Sequence, residues 1–190
     1  MITYKSIEKE FLRNREEIPM TVYVTSEYLV EKINNGLGGL LFKEVNVPPY
    51  TNDFGKYAVM SEFEKNFDVS NWKFFMAFDG DKSVGAATLA CKTPEVRMLD
   101  GREDLCVLWD VRVAEEYKHK GIGQKLFDIC VEWAKSQGYN QMKIECQNNN
   151  VPACKFYHKQ GAVLSVINEY AYYDDNESKN EIQFIWYLDL

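Results

Sequence analysis

Leu105-Cys-Val-Leu-Trp-Asp-Val-Arg-Val113 is a nearly continuous apolar run of strand length, and Ala114-Glu-Glu-Tyr-Lys-His-Lys-Gly-Ile-Gly123 carries it through a short basic turn into a helical pattern. From Ile122 to Gln137 apolar residues fall at Ile122, Leu126, Ile129 and Trp133, with a second row at Phe127, Val131 and Ala134, and Gly138 ends the helix. A stripe that wide predicts a helix pressed onto a sheet. Strand, glycine turn and helix N-terminus together make an anion site, because the first helical N–H groups lack intrahelical partners and the dipole sets partial positive charge there. Lys118, His119, Lys120 and Lys125 concentrate positive charge at the same place. In the plainer alternative, Gly121 and Gly123 serve only a tight turn and the lysines form a solvated face.

Beyond that helix, Gln141–Cys146 is the next strand-like run, so Leu105–Cys146 reads as a β-α-β unit with two parallel neighbours. Further strand-like runs, rich in β-branched or aromatic residues, lie at Met20–Glu27, Trp72–Phe78, Ser83–Cys91, Ala162–Tyr172 and Glu181–Leu188. Asp79-Gly80-Asp81 is a hairpin signal, Pro48-Pro49 should stop any element, and Lys56–Phe67 should be a short helix. A second helix begins with Asn150 as N-cap and Pro152 in its first turn, runs through Phe156 and Tyr157, and stops at Gly161. No repeat, low-complexity tract or Ser/Gly linker divides the chain. The expected fold is α/β, a mixed sheet of about seven strands with helices on both faces, in one domain spanning 1–190.

The chain has 190 residues, 46% of them apolar, which is ample for a core and excludes disorder. A formal charge of −7 argues against the phosphate-neutralising surface that nucleic-acid binding needs and favours a cationic ligand. No window approaches the run of about 20 apolar residues that spans a membrane, and Met1–Glu17 alternates charge with apolar residues where a signal peptide would be greasy. Cys91, Cys106, Cys130, Cys146 and Cys154 form no C-x-x-C pair and sit in apolar stretches, as reduced core thiols of a cytoplasmic protein would. With only His119 and His158, both beside lysines, no metal site is expected.

The basic turn is neither G-x-x-x-x-G-K-[ST] nor G-x-G-x-x-G, which disfavours nucleoside-triphosphate and dinucleotide sites. Lys118-His-Lys-Gly-Ile-Gly123 instead resembles the Q/R-x-x-G-x-G/A pyrophosphate loop of the GNAT superfamily of acyl-CoA-dependent N-acetyltransferases. Lys118 stands where the family usually has Gln or Arg, and a lysine still donates to phosphate. Asn150-Val-Pro-Ala153, then Phe156-Tyr157, then Gly161 is similar to the family's second signature, N-x-x-A, an aromatic pair and Gly-Phe, with Ala162 in place of the last Phe. Glu145-Cys-Gln-Asn-Asn-Asn-Val-Pro-Ala-Cys-Lys-Phe-Tyr157, with Trp109-Asp-Val111 before the turn and Glu181-Ile-Gln-Phe-Ile-Trp-Tyr187 near the end, looks like the streptothricin acetyltransferases. That likeness covers residues 70–190 well and the first third loosely.

The resemblance implies direct attack of an amine on the thioester of acetyl-CoA, without an acyl-enzyme. It implies that Lys118, His119, Lys120, Gly121, Ile122, Gly123 and Gln124 hold the pyrophosphate, that the backbone of Val111, Arg112 and Val113 pairs with the pantetheine amides, and that Asn150 touches the pantetheine arm. Tyr157 would protonate the departing thiolate; a core aromatic on a helix is the alternative. Since an amine of pKa about 10.4 is only about 10⁻³ to 10⁻⁴ neutral at pH 7, a carboxylate near the thioester is expected. Asp110 is one candidate, an Asp110–Arg112 ion pair being its alternative, and Glu145 is the other, with a solvent-facing strand residue as its alternative.

The acceptor implied is a cationic amine, above all the β-lysine amine of streptothricin, whose acetylation would confer resistance. Asp53, Glu62, Glu64, Asp68, Asp174, Asp175 and Glu177 would suit a polycation or be ordinary solubilising positions. A polyamine, an aminoglycoside-like drug, a protein N-terminus, or a non-catalytic acyl-CoA sensor are the competing readings. Tyr170, Tyr172, Tyr173, Trp186 and Tyr187 are either sheet core or a homodimer interface.

Overall fold

The computed structural model describes residues 1–8, 13–57 and 65–190. The chain forms two compact units, one of Met1–Thr21, Asp53–Ile144 and Leu188–Leu190, the other of Val22–Asn52 and Glu145–Tyr187. Elements in chain order are β1 Ile2–Ile7, α1 Arg13–Glu16, β2 Thr21–Lys32, β3 Leu40–Asp53, β4 Lys73–Asp79, β5 Lys82–Cys91, β6 Leu105–Val113, α2 Ile122–Ser136, β7 Gln141–Gln147, α3 Val151–Lys159, β8 Val163–Asn168 and β9 Gln183–Asp189. This is the mixed α/β sheet the sequence predicts. Strands pair in the order β1-β4-β5-β6-β7 in the first unit and β7-β9-β8 in the second, while β2 and β3 pair with each other.

In the first unit β1, β4, β5 and β6 are antiparallel neighbours, and Gly80, at φ 60, closes the β4–β5 hairpin. β6 and β7 run parallel, Leu105–Leu108 against Gln141–Ile144, as the β-α-β reading requires. α2 buries Ile122, Leu126, Phe127, Cys130 and Ala134. Its buried line therefore runs through Cys130 where the sequence reading chose Ile129, and Trp133 turns instead against Tyr139, ring centroids 6.0 Å apart. Gly85 on β5 shows how closely helix and strand approach: a Cβ there would lie 3.0 Å from Leu126 Cδ1 and 3.1 Å from Ile122 Cγ2.

In the second unit, α3 is capped by the Asn150 side chain, which accepts from the Ala153 N–H at 3.3 Å. Cys154 of α3 faces Cys146 of β7, sulfur to sulfur 3.5 Å, and the Trp186 indole donates to Cys146 Sγ at 3.1 Å. Trp186 is core, whereas Tyr170 and Tyr173 are exposed.

Three expectations are corrected. β1 was hidden in the charged alternation of the N-terminus, whose period of two is a strand signal. Pro48 and Pro49 do not stop an element; they lie inside β3, in a ribbon of two strands where a missing N–H can face outward. The run Ala162–Tyr172 yields a shorter strand, and residues after Asn168 enter turns. The helix expected at Lys56–Phe67 falls largely outside the described residues, as do Glu62 and Glu64.

Candidate active site

The residues singled out from sequence fall into two sets, one in each unit. In the first unit β6 carries an irregularity that shapes the strand: Thr88 pairs with Asp110 but Leu89 with Leu108, so Trp109 is an extra residue, a bulge. Pairing with β7 ends at Leu108 and Ile144. Asp110–Val113 thus have no strand partner on that side among the described residues, and their backbone groups are available to an extended ligand.

The strand leads through a 3₁₀ turn, Glu115–Tyr117, into the basic loop. His119 takes φ 60 and Gly121 φ 80, two left-handed residues that fold the loop back before α2 begins. Gly121 is the N-cap and offers no side-chain cap, so the N-terminus of a fifteen-residue helix is left for another acceptor. A Cβ on Gly123 would meet only Val113 Cγ2, at 3.5 Å, an ordinary contact. Among the described residues nothing crowds that position, so the glycine leaves it open. His119, Lys120 and Lys125 are exposed, while Lys118 Nζ donates to Thr21 O at 3.2 Å and pairs with Glu115 at 2.5 Å. Lys120 lies over the Tyr117 ring, 5.0 Å from its centroid.

Asp110, on the same strand, is 5% exposed and held between two arginines. Arg112 Nη2 donates to Asp110 Oδ2 at 2.6 Å and its Nε to the same oxygen at 3.1 Å; Arg15 on α1 pairs with Asp110 from the other side. Arg112 Nη1 also reaches Ile18 O at 3.1 Å. Burial alone would raise the Asp110 carboxyl, but the two guanidinium charges outweigh it and hold the group below the usual carboxylate range. A carboxylate so held is a weak proton acceptor, and the ion-pair alternative describes its surroundings. Arg15, 95 residues from Asp110, was missed by sequence reasoning and carries no local signal.

In the second unit Glu145, on β7, accepts a hydrogen bond from the Tyr172 hydroxyl at 2.6 Å, and Gln147 Nε2 donates to the Tyr172 oxygen at 2.9 Å. Burial and then the Glu145 charge push the Tyr172 phenol up, so it stays a donor. Tyr157 is buried on α3, its ring edge-on to Phe156 at 5.5 Å. Asn150 serves as the α3 cap. All five cysteines are free and buried. Burial pushes the Cys91 thiol up to about 11 and raises Cys106 and Cys130 as well, so these are poor nucleophiles at neutral pH, in keeping with direct attack. Among the described residues no three His, Cys, Asp or Glu converge on a metal position, and no helix is long and apolar enough to cross a membrane.

Comparison with known proteins bears on this geometry. The model of the acetyltransferase (GNAT) family matches residues 41–162. Streptothricin acetyltransferase A of Bacillus subtilis (strain 168) is 33% identical over 78 residues, 41% of this chain and 44% of that protein. A streptothricin acetyltransferase of Escherichia coli is 32% identical over 84 residues, 44% of this chain and 48% of that protein. The chain thus spans less than half the length of these curated relatives. In fold it is similar to a nourseothricin acetyltransferase, TM-score 0.76 at 20% identity, over 99% of this chain and 98% of that one. It is similar also to a Bacillus anthracis (strain Ames) protein solved with acetyl coenzyme A, TM-score 0.78 at 23% identity over the whole of both chains.

Proposed function

The chain belongs to the acetyltransferase (GNAT) family, and from that premise we propose that it is an acetyl-CoA-dependent N-acetyltransferase, a single domain over 1–190, whose acceptor is a primary amine of a cationic small molecule such as streptothricin. The observation that carries the proposal is the N-terminus of α2, without a side-chain cap and with its open Gly123, following a strand whose far half has no parallel neighbour among the described residues. The first turn of α2 holds the pyrophosphate with backbone N–H groups, and Lys120 and Lys125 add charge. The backbone of Val111–Val113 takes the pantetheine amides as an added strand. Asn150 keeps its capping role and contacts the pantetheine arm.

The acceptor arrives as an ammonium and must lose a proton before its nitrogen attacks the thioester carbon. Glu145 accepts that proton, directly or through water, with Tyr172 fixing the carboxylate. Asp110 pairs with both Arg15 and Arg112 and so positions the strand; it takes no proton. When the C–S bond breaks, the Tyr157 hydroxyl protonates the departing thiolate, and the phenolate is reprotonated by the proton that the attacking nitrogen sheds as it becomes an amide.

Incubation with acetyl-CoA and streptothricin should add one acetyl group by mass and release one equivalent of CoA; neither appearing, with any amine in a panel of polyamines, aminoglycosides and peptides, ends the proposal. Tyr157→Phe should lose about 10- to 10³-fold in kcat with little change in KM for either substrate. Undiminished turnover in that variant would remove Tyr157 from the mechanism while leaving the rest standing.

A further inference from the structure

A second cluster in the second unit is assigned no role by the reaction as described. Tyr50 donates to Glu27 at 2.7 Å; Asn149 Nδ2 donates to the Tyr50 oxygen at 3.1 Å and to Glu181 at 3.1 Å; Asn52 Nδ2 donates to the same Glu181 oxygen at 2.8 Å. Buried Asn148 locks the three chain segments that bring these groups together. It exchanges backbone hydrogen bonds with Tyr28 and Ile182, donates its amide to Tyr28 O at 3.2 Å, and accepts from Ile182 N–H at 2.8 Å. Glu27, Glu181 and Asn149 are the sequence neighbours of those three residues, so their placement follows from that lock.

Two features of the cluster are unbalanced. Glu27, Glu181 and Glu145 are half-buried, yet none is in an ion pair among the described residues, although Glu31, Glu44 and Glu169 of the same unit each have a lysine. Asn149 is 4% exposed, and its Oδ1 is buried without a hydrogen-bond partner. The amide cannot be turned over to relieve this, because its oxygen would then face the Glu181 carboxylate. A buried acceptor without a donor is costly, and this one lies beside carboxylates that an incoming donor could also reach. Burial, the Glu27 hydrogen bond and the charges of Glu27 and Glu181 push the Tyr50 phenol up to about 12, and Tyr172 feels both Glu145 and Glu181. Glu27, Tyr50, Asn149 and Glu181 are linked one to the next by hydrogen bonds, and Tyr172, bonded to Glu145, also feels the Glu181 charge, a spread of negative charge that suits an organic cation with more than one ammonium.

We propose that Glu27, Glu145 and Glu181, with the side-chain oxygen of Asn149, form the seat for the ammonium groups of the acceptor. A primary ammonium has three donors, one for Asn149 Oδ1 and two for the flanking carboxylates, and a second ammonium on the same molecule fits the remaining carboxylate. The acceptor class is therefore a di- or polyamine. This rests on the acetyl-transfer reading for its purpose, though not for its geometry.

The test is calorimetric titration of streptothricin into the full chain, without acetyl-CoA, alongside steady-state kinetics. Glu181→Gln and Glu27→Gln should each weaken streptothricin binding and raise its KM about 10-fold or more, with the acetyl-CoA dissociation constant and melting temperature unchanged; Glu95→Gln, on the exposed surface of the other unit, should alter nothing. If Glu181→Gln does not fold, Glu27→Gln, whose partner is a half-exposed tyrosine, carries the test. Unchanged streptothricin affinity in the folded variants overturns the proposal, as does a wild-type chain that turns over monoamines but does not bind streptothricin or spermidine. A chain that binds streptothricin through Glu181 but ignores acetyl-CoA would keep the cation seat and overturn the enzyme reading.

Discussion

Two carboxylates on strands, Asp110 and Glu145, looked interchangeable as bases, and their surroundings make them opposites. Asp110 sits in the core of the first unit with a guanidinium on either side. Glu145 sits half-buried in the second unit with a tyrosine hydroxyl and, among the described residues, no ion pair. Charge that is matched inside the protein holds the protein together; charge left unmatched at a half-buried position is available to something that arrives. The same contrast separates Asp110, paired within the chain by two guanidinium groups, from Glu27, Glu145 and Glu181, which have no ion pair among the described residues.

The sharpest way to break that contrast is to remove the carboxylate that the arginines need. Asp110→Asn leaves two buried guanidinium groups facing each other and should cost about 3–5 kcal/mol of stability, read as a fall in the urea midpoint at unchanged slope. A loss under about 1 kcal/mol would mean that the cluster is not structural. The pH dependence has a definite sign. The Asp110 carboxyl is held below its unfolded value of about 3.9, so its contribution is fully present above that value and disappears as pH falls through the lower, folded one. The wild-type chain should therefore lose stability through that acid window, and Asp110→Asn should show a flatter acid limb.

Glu145→Gln should do the reverse. Gln147 can still reach Tyr172, whose hydroxyl can donate to the new amide oxygen, so stability should change by less than about 1 kcal/mol. Activity should fall by about 10- to 10²-fold in kcat, because the group that accepts the ammonium proton has gone. Retained kcat with a raised KM would make Glu145 a holder of the acceptor and not its base.

What the sequence made legible follows from the same division. β6, the turn and α2 were readable because their signals are local: an apolar run, two glycines and a stripe of period 3.6, all within Leu105–Gln137. The observed bounds of β6 are those of the run. β3 was lost because prolines were read without knowing that the strand lies in a two-stranded ribbon. The bulge at Trp109, which shifts the pairing between Leu108 and Asp110 by one residue, depends on the register with β5 and leaves no mark in composition. Arg15 beside Asp110 and Glu181 beside Asn52, 95 and 129 positions apart, come together only through tertiary structure. Asn149 and Glu181 stood within stretches already quoted for their likeness to a family, but nothing marked them as partners.

The smallest expected effect is the response to salt, and it discriminates between the clusters without any mutation. Screening shortens from about 10 Å at 0.1 M ionic strength to about 3 Å at 1 M and acts on charges that water can reach. The Arg15–Asp110–Arg112 cluster has side chains only 1–3% exposed, so the acid limb of unfolding should keep its midpoint across that range. Glu27, Glu145 and Glu181 are reachable, and capture of a polycation by them should weaken. With acetyl-CoA saturating, kcat/KM for streptothricin should fall about 3- to 10-fold between those salt concentrations, and for a monoamine by no more than about 2-fold. Equal losses for polycation and monoamine would trace the effect to general steering by an acidic surface. A salt-sensitive acid limb beside salt-insensitive capture would invert the comparison, making the buried cluster the accessible one.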